Sequence, residues 1–141
     1  WLTHVVGSSG YFLFSGVTYA NRAKIDVLGV DPKTLEKVGA VHEETARQMA
    51  EGARRVAGST YGLATSGIAG PDGGTEEKPV GTVWLAWGTE TKNDAIRLQI
   101  PGSRERFQIL VAAIGLDLMR RQLLNLPPIP HYIKRFIYRS D

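Results

Sequence analysis

The stretch "GTVWLAWGT" (Gly81–Thr89) is apolar on both of the faces that a β-strand would present. A strand of this composition is typical of the centre of a sheet, with packed layers above and below it. The next stretch, "AIRLQI" (Ala95–Ile100), alternates apolar and polar residues, which predicts a strand that is half exposed or near an edge. Two strands in such close succession predict a hairpin. We therefore expect a mixed sheet rather than a wholly parallel one.

The flanking sequence predicts two more strands and three helices. "YFLFSGVTYA" (Tyr11–Ala20) is aromatic and β-branched, and "STYGLATSG" (Ser59–Gly67) precedes a glycine-rich loop, so both are interpreted as strands. Helices are predicted over 31–39, 42–58 and from Ser103 to about Asn125, each with cap or stop residues at its ends. Helices interspersed with strands predict an α/β layered sandwich.

Composition places the chain among single-domain globular proteins. The 141 residues are 43% hydrophobic and 22% charged, and no apolar run is long enough to cross a membrane. Cysteine is absent, which fits a reducing cytoplasm. The net charge of +3 comes from the end of the chain, since residues 103–141 hold seven basic and three acidic side chains. Nucleic-acid binding through "HYIKRFIYR" (131–139) is a weak alternative, because basic and aromatic residues interleave only there.

The loop that begins "SGIAGPDGGTEEKPVG" (Ser66–Gly81) is about three times longer than an ordinary hairpin connection of two to five residues. Its glycines permit positive φ and close approach of the backbone to a ligand, so successive N–H groups could cradle an anion or a carbonyl oxygen. The alternative is a long turn whose glycines serve geometry alone. The loop is not a P-loop, because no Gly-Lys-Ser/Thr follows at the required spacing.

A lysine near the end of the first predicted strand is a second candidate. In "VTYANRAK", Lys24 lies five residues after Tyr19, where the chain turns. A lysine that is partly buried beside a tyrosine hydroxyl can have a lowered pKa and can act as a base toward a hydroxyl nucleophile. Composition alone favours the alternative, an exposed surface cation. The three histidines are scattered without ligand spacing, so no metal site is predicted.

Three blocks of the sequence resemble the C-terminal domain of the competence-damage-inducible (CinA) proteins, a family that includes nicotinamide-mononucleotide deamidases. The blocks are "GVTYANRAKIDVLGV", "GAVHEETARQMAEGARR" and "SGIAGPDGGTEEKPVGTVWLAW", and "PGSRERF" is similar more weakly. The resemblance runs from about Leu2 to about Leu124. It implies a three-layer α/β/α sandwich over 1–126, followed by a Pro-rich, basic and aromatic tail over 127–141.

The resemblance also implies an amide hydrolase of the Ser–Lys type that acts on a nucleotide without a cofactor. A serine attacks the carboxamide, a lysine takes its proton, and backbone N–H groups hold the oxyanion. Lys24 matches the family's general base and Tyr19 its orienting tyrosine. Ser66 and Gly67 match the oxyanion and substrate side of the pocket, to which Lys78 is also assigned. From charge and loop position, we expect Gly70, Gly73, Gly74 and Thr75 to cover the nucleotide, and Arg104 or Arg106 to meet its phosphate.

The departures from the family pattern affect catalysis. The family's serine lies in an "ESCTGG"-type motif, and these 141 residues contain no such motif. The family's "YSN" is "YAN" here, because Ala20 replaces a serine. We therefore expect a domain truncated at its N-terminus, with little or no deamidase activity by itself. Ser66 as a substitute nucleophile and a non-catalytic nucleotide-binding or interaction module remain alternatives. Exposed aromatics in the tail suggest a homo-oligomer.

Overall fold

The computed structural model describes residues 1–138. Its helices and strands are, in chain order, α1 (Asn21–Leu28), α2 (Pro32–Val38), α3 (Glu43–Ala57), β1 (Gly62–Gly67), β2 (Thr82–Gly88), β3 (Asn93–Gln99) and α4 (Arg104–Leu123). Short 3₁₀ helices lie at Leu2–His4, Ser8–Gly10 and His131–Phe136. None of the described helices combines the length and the apolar character that a membrane span requires.

The three strands form one sheet in the order β1–β2–β3. Both pairings are antiparallel: Leu85 faces Thr65 of β1 and Ile96 of β3. The predicted hairpin is therefore present. The predicted mixture of parallel and antiparallel pairs is not found among the described strands, because both connections lead directly back along the neighbouring strand.

The sheet is the middle layer of a three-layer α/β/α sandwich, as the family resemblance implies. Alternate residues of β2 point to opposite faces, and both faces are covered. On one side, Val83, Leu85 and Trp87 pack in the cluster that includes α4. On the other side, Ala86 packs with Ala46 and other residues of α1–α3. Burial on both faces explains why β2 has no polar stripe.

Small residues allow α3 to lie close to β1. A Cβ added to Gly62 would come within 2.2 Å of the Ala50 carbonyl oxygen, so only glycine fits at that position. Ala64, on the same face of the sheet, is buried beside Ala46 and Ala50. Small residues therefore form the face of α3 that packs on β1, although Val56 near the end of the helix is exposed.

The sequence analysis missed α1. Its C-terminal signal is Gly29, which has φ 66° and donates its N–H to the Ile25 carbonyl oxygen, an arrangement typical of a helix C-cap. The helix has no side-chain cap at its N-terminus, where Ala20 precedes it. The start of the helix thus lacked the residue types that would have identified it.

The strand predicted over Tyr11–Ala20 is wrong for this structure. The segment 12–19 has no regular secondary structure, and it makes no ladder with a described strand. Its apolar side chains are largely in solvent: Val17 is 90% exposed and Tyr19 is 81% exposed. A β-prone composition is not sufficient for a strand when no partner strand takes up its backbone hydrogen bonds.

The described part of the tail packs on the sandwich. Ile133 is fully buried in the cluster with α4, and Ile137 makes an isolated antiparallel bridge with Leu98 of β3. The Arg97 guanidinium lies 3.8 Å from the ring centroid of Tyr138. Residues 127–138 therefore complete the apolar layer beyond β3. The last three residues of the predicted tail, Arg139, Ser140 and Asp141, lie outside the described residues.

We expect Ile133→Ala to lower the free energy of unfolding by about 2–5 kcal/mol, because it leaves a cavity in a closed core. Ile109→Ala is the matched control, since Ile109 of α4 is 48% exposed, and it should change the value by less than about 0.5 kcal/mol. Urea unfolding at a fixed pH measures both. Equal effects of the two substitutions would show that the tail does not contribute to the core.

Candidate functional site

A groove of about 1760 Å³ lies between the N-terminal segment, β1 and α4. Its lining includes seven of the residues that the sequence analysis selected: Tyr19, Lys24, Ser66, Gly67, Gly70, Gly73 and Arg104. Gly74, Thr75, Lys78 and Arg106 do not line it. The fold therefore brings the predicted base, the end of β1 and the first half of the glycine-rich loop to one cavity.

Lys24 is the most unusual residue of the groove. It lies on the first turns of α1 and is only 5% exposed. Its Nζ donates hydrogen bonds to the carbonyl oxygens of Thr18, at 2.9 Å, and Tyr19, at 3.0 Å. It forms no ion pair with a carboxylate among the described residues. Removal from water without a compensating negative charge lowers the pKa of Lys24 below its usual value of 10.5.

The contacts of Lys24 also fit a neutral amine. A neutral amine has two N–H bonds and one lone pair, and the two carbonyl oxygens account for two donated hydrogens. The lone pair is then the position that remains for a substrate proton. The carbonyl oxygen of Tyr19, rather than its hydroxyl, contacts Lys24, and the Tyr19 side chain extends into solvent. The orienting role of the Tyr19 hydroxyl stays a prediction.

Ser66 and Gly67 lie at the end of β1, where the glycine-rich loop begins. The Ser66 hydroxyl donates to the carbonyl oxygen of Ala40 at 2.7 Å, which links β1 to the segment between α2 and α3. A Cβ on Gly67 would come within 2.8 Å of the Thr82 carbonyl oxygen. The proton of Ser66 is thus already engaged, which leaves Ser66 without the arrangement of an activated nucleophile.

The loop is held by contacts along its whole length. Arg104, at the start of α4, donates to the Gly70 carbonyl oxygen at 3.0 Å, and the Lys78 ammonium donates to the Val38 carbonyl oxygen at 2.8 Å. Between them, the Thr75 hydroxyl accepts from the Lys78 N–H at 3.0 Å. A Cβ on Gly74 would meet the Val80 nitrogen at 2.7 Å. Much of the loop's composition therefore serves anchoring and close packing.

Two arginines and one carboxylate also line the groove among the described residues. Arg120 is paired with Asp117 at 2.7 Å, so Arg104 is the cation that the groove offers to an anion, and Asp72 is the carboxylate in its lining. Arg106 is separate: its side chain passes Gly102, and its N–H donates to the Ser103 hydroxyl, which caps α4. Of the two arginines predicted to meet a phosphate, Arg104 is the one that the fold directs to the groove.

The backbone partners of Lys24 were missed by the sequence analysis. Carbonyl oxygens of Thr18 and Tyr19 carry no sequence signal, because every residue has one. The Ala40 carbonyl oxygen, which accepts a hydrogen bond from the Ser66 hydroxyl, likewise has no signal in the sequence. These acceptors are defined by the irregular path of the chain before α1 and between α2 and α3.

A family model of the CinA C-terminal domain matches residues 1–123, which include every residue of the groove. The chain belongs to this family. The chain is 58% identical over 127 residues to a CinA-like protein of Desulfosudis oleivorans, a match that covers 87% of the chain and 30% of that protein. A protein of Acetivibrio thermocellus named as a putative competence-damage inducible protein is 46% identical over 125 residues, again with 30% of its length covered. The chain therefore spans about a third of the length of these curated relatives.

Solved structures of family members share the fold. The competence damage-inducible protein A of Klebsiella pneumoniae superposes with a TM-score of 0.79 at 30% identity, covering 87% of this chain and 76% of that one. The competence/damage inducible protein CihA of Agrobacterium tumefaciens gives a TM-score of 0.76 at 35% identity, with 83% and 72% covered. The three-layer arrangement around the groove is thus a property of the CinA family.

The lowered pKa of Lys24 predicts a pH-dependent stability. Between that pKa and 10.5 the unfolded chain binds more protons than the folded chain, so the stability of the wild-type protein gains from rising pH in this window. Lys24→Met has no such group. The free energy of unfolding of the variant minus that of the wild type should therefore fall as pH rises toward 10.5. Urea unfolding at several pH values measures this difference.

Lys33→Met is the matched control, because Lys33 is exposed on α2. The same difference measured for Lys33→Met gives the background against which the trend of Lys24→Met is judged. The absolute effect of Lys24→Met is not diagnostic, since methionine also leaves the carbonyl oxygens of Thr18 and Tyr19 without their donor. A constant difference for Lys24→Met would contradict a lowered pKa.

Proposed function

We propose that this domain belongs to an amide hydrolase that converts nicotinamide mononucleotide to nicotinic acid mononucleotide and ammonia. The observation that carries the proposal is Lys24, a buried lysine with a lowered pKa, with carbonyl oxygens as its partners, at the wall of a groove that Arg104 also lines. A general base works best when its pKa lies near the operating pH, and desolvation moves a lysine in that direction.

The proposed reaction has two halves, transfer of the acyl group to serine and hydrolysis of the ester. In each half Lys24 first takes a proton as a base and then returns it as an acid. The family's serine hydroxyl attacks the carboxamide carbon while Lys24 Nζ takes the hydroxyl proton. The tetrahedral intermediate then expels the amide nitrogen, which leaves as ammonia after receiving that proton from Lys24. A water molecule attacks the resulting ester, Lys24 takes its proton, and this proton returns to the serine oxygen. The acid product and the free serine are released.

Two further features support a mononucleotide as the substrate. Arg104 brings a cation to the groove at the point where it holds the Gly70 carbonyl oxygen, so a phosphate could be attracted there without disturbing the loop. Gly70 and Gly73 both have positive φ, at 76° and 88°, so the backbone can approach a ligand closely. These glycines line the same groove as Lys24.

The chain itself contains no "ESCTGG"-type motif, and the hydroxyl of Ser66 is bonded to Ala40. We therefore propose that the 141 residues bind the mononucleotide but turn it over very slowly. Without the nucleophile, binding and oxyanion contacts supply only about 10³–10⁴ of rate over water in well-studied hydrolases. The same two observations favour a second candidate function, a nucleotide-binding module without catalysis.

The test compares a chain extended upstream to include an "ESCTGG"-type motif with its Lys24→Ala variant. Ammonia release from nicotinamide mononucleotide should be measurable for the extended chain, and Lys24→Ala should lower it by at least about 10²-fold, the lower range for a general base. Lys33→Ala, on the exposed face of α2, should leave the rate unchanged.

The extended chain separates the two candidates. Calorimetric titration of the 141-residue chain with the mononucleotide tests the binding that both share, since binding without ammonia release is expected for this chain under both. Activity of the extended chain that survives Lys24→Ala would rule out the proposed base, and an inactive extended chain that binds tightly would favour the binding module.

A further inference from the structure

The glycine-rich loop joins the two helical layers of the sandwich across the end of the sheet. Near its start, the Arg104 guanidinium of α4 donates to the carbonyl oxygen of Gly70 at 3.0 Å. Near its end, the Lys78 ammonium donates to the carbonyl oxygen of Val38, the last residue of α2, at 2.8 Å. Because α4 packs on one face of the sheet and α2 on the other, the stretch between these two contacts is anchored to both layers.

Residues 75–78 form a closed turn that carries the second of these contacts. The Thr75 N–H donates to the Lys78 carbonyl oxygen, and the Lys78 N–H donates to the Thr75 hydroxyl, both at 3.0 Å. Arg97 of β3 donates to the Glu77 carbonyl oxygen and fixes the turn to the sheet. Residues 71–77 are all exposed, whereas Lys78 is half-buried. Its side chain therefore attaches an exposed turn to α2.

The segment that receives Lys78 is itself held by two more side chains. The carbonyl oxygens at positions 38, 39 and 40 each accept a hydrogen bond from a different element: from Lys78, Thr45 and Ser66, in that order. Thr45 is fully buried on α3, and Ser66 lies at the end of β1. Lys78 thus binds to a segment that α3 and β1 already fix in place.

Lys78 does not line the groove, although the sequence analysis assigned it to the substrate side. The residues that do line the groove in this loop include Gly70 and Gly73. Gly73 lies two positions before the closed turn, and a Cβ added to it would meet Ile68 at 3.8 Å as its nearest neighbour. Close packing therefore does not fix Gly73, and its position depends on the contacts that hold the loop on either side of it.

We propose that Lys78 is a positioning residue of the groove. Its hydrogen bond to Val38 holds the groove wall at 70–73 in the conformation that receives the ligand, and Lys78 makes no contact with the ligand itself. This inference rests on the proposed function for the identity of the ligand. The glycine-rich loop is then a preformed wall rather than a lid that becomes ordered on binding, so less conformational entropy is lost when the ligand enters.

Amide hydrogen exchange of the 141-residue chain without ligand tests the anchor. Lys78→Met removes the donor and retains a long side chain, so exchange at the Thr75 amide should become at least about threefold faster, because a hydrogen bond from a charged group stabilises the closed form. Lys78→Arg keeps a charged donor and should restore slow exchange. Lys37→Met is the matched control, since Lys37 is an exposed cation in the last turn of the same helix, and it should leave Thr75 unchanged.

Calorimetric titration separates positioning from direct contact with a phosphate. Lys78→Met should weaken the binding of nicotinamide mononucleotide and of nicotinamide riboside by the same factor, about threefold or more, because both ligands need the wall in place. The riboside lacks the phosphate. A direct contact between Lys78 and the phosphate would therefore weaken the binding of the mononucleotide alone.

Three results would each overturn the proposal: unchanged exchange at Thr75 in Lys78→Met, equal acceleration in Lys37→Met, or a loss of affinity confined to the mononucleotide. If the wild-type chain binds neither ligand, the proposed function fails. The exchange measurement, which needs no ligand, then still decides whether Lys78 holds the wall.

Discussion

Burial of β2 on both faces is the constraint on which the rest of the molecule depends. A strand with Trp87 only 2% exposed on one face and Ala86 fully buried on the other needs a helical layer on each side. The antiparallel turns on either side of β2 then determine where β1 and β3 end. One end of the sheet meets the glycine-rich loop and the groove of Lys24. The position of this groove is therefore a consequence of the central strand.

The groove combines two opposite requirements. A lysine that is to act as a base must lose water to lower its pKa, yet a buried amine must still find hydrogen-bond partners. The carbonyl oxygens of Thr18 and Tyr19 meet the second requirement without a carboxylate that would raise the pKa again. The irregular segment before α1 is what makes this possible. In a regular strand, those carbonyl oxygens would be committed to a neighbouring strand.

Local patterns in the sequence predicted the parts of the fold that depend on local rules. The apolar run of β2, its hairpin with β3 and the helix that begins after Ser103 all appear as expected. The segment 12–19 failed because strand formation depends on a partner that composition does not reveal. The contacts that anchor the loop could not be predicted for a similar reason, because they join residues far apart in the sequence. The Lys78 ammonium donates to the carbonyl oxygen of Val38, forty positions away. The spacing of Tyr19 and Lys24 made them candidates and the family resemblance supplied their roles, but the contact between them involves the backbone carbonyl of Tyr19, which no motif records.

The central claim is that Lys24 is a buried amine that loses its proton more readily than a free lysine. The most direct measurement is an NMR titration of the lysine side-chain ¹³Cε and ¹Hε signals, with Lys24 assigned by the signal that is missing from Lys24→Met. We predict a midpoint clearly below 10.5, the value for an unperturbed lysine. A midpoint at or above 10.5 would contradict the account, because Lys24 would then remain a charged surface-like cation and could not serve as the base.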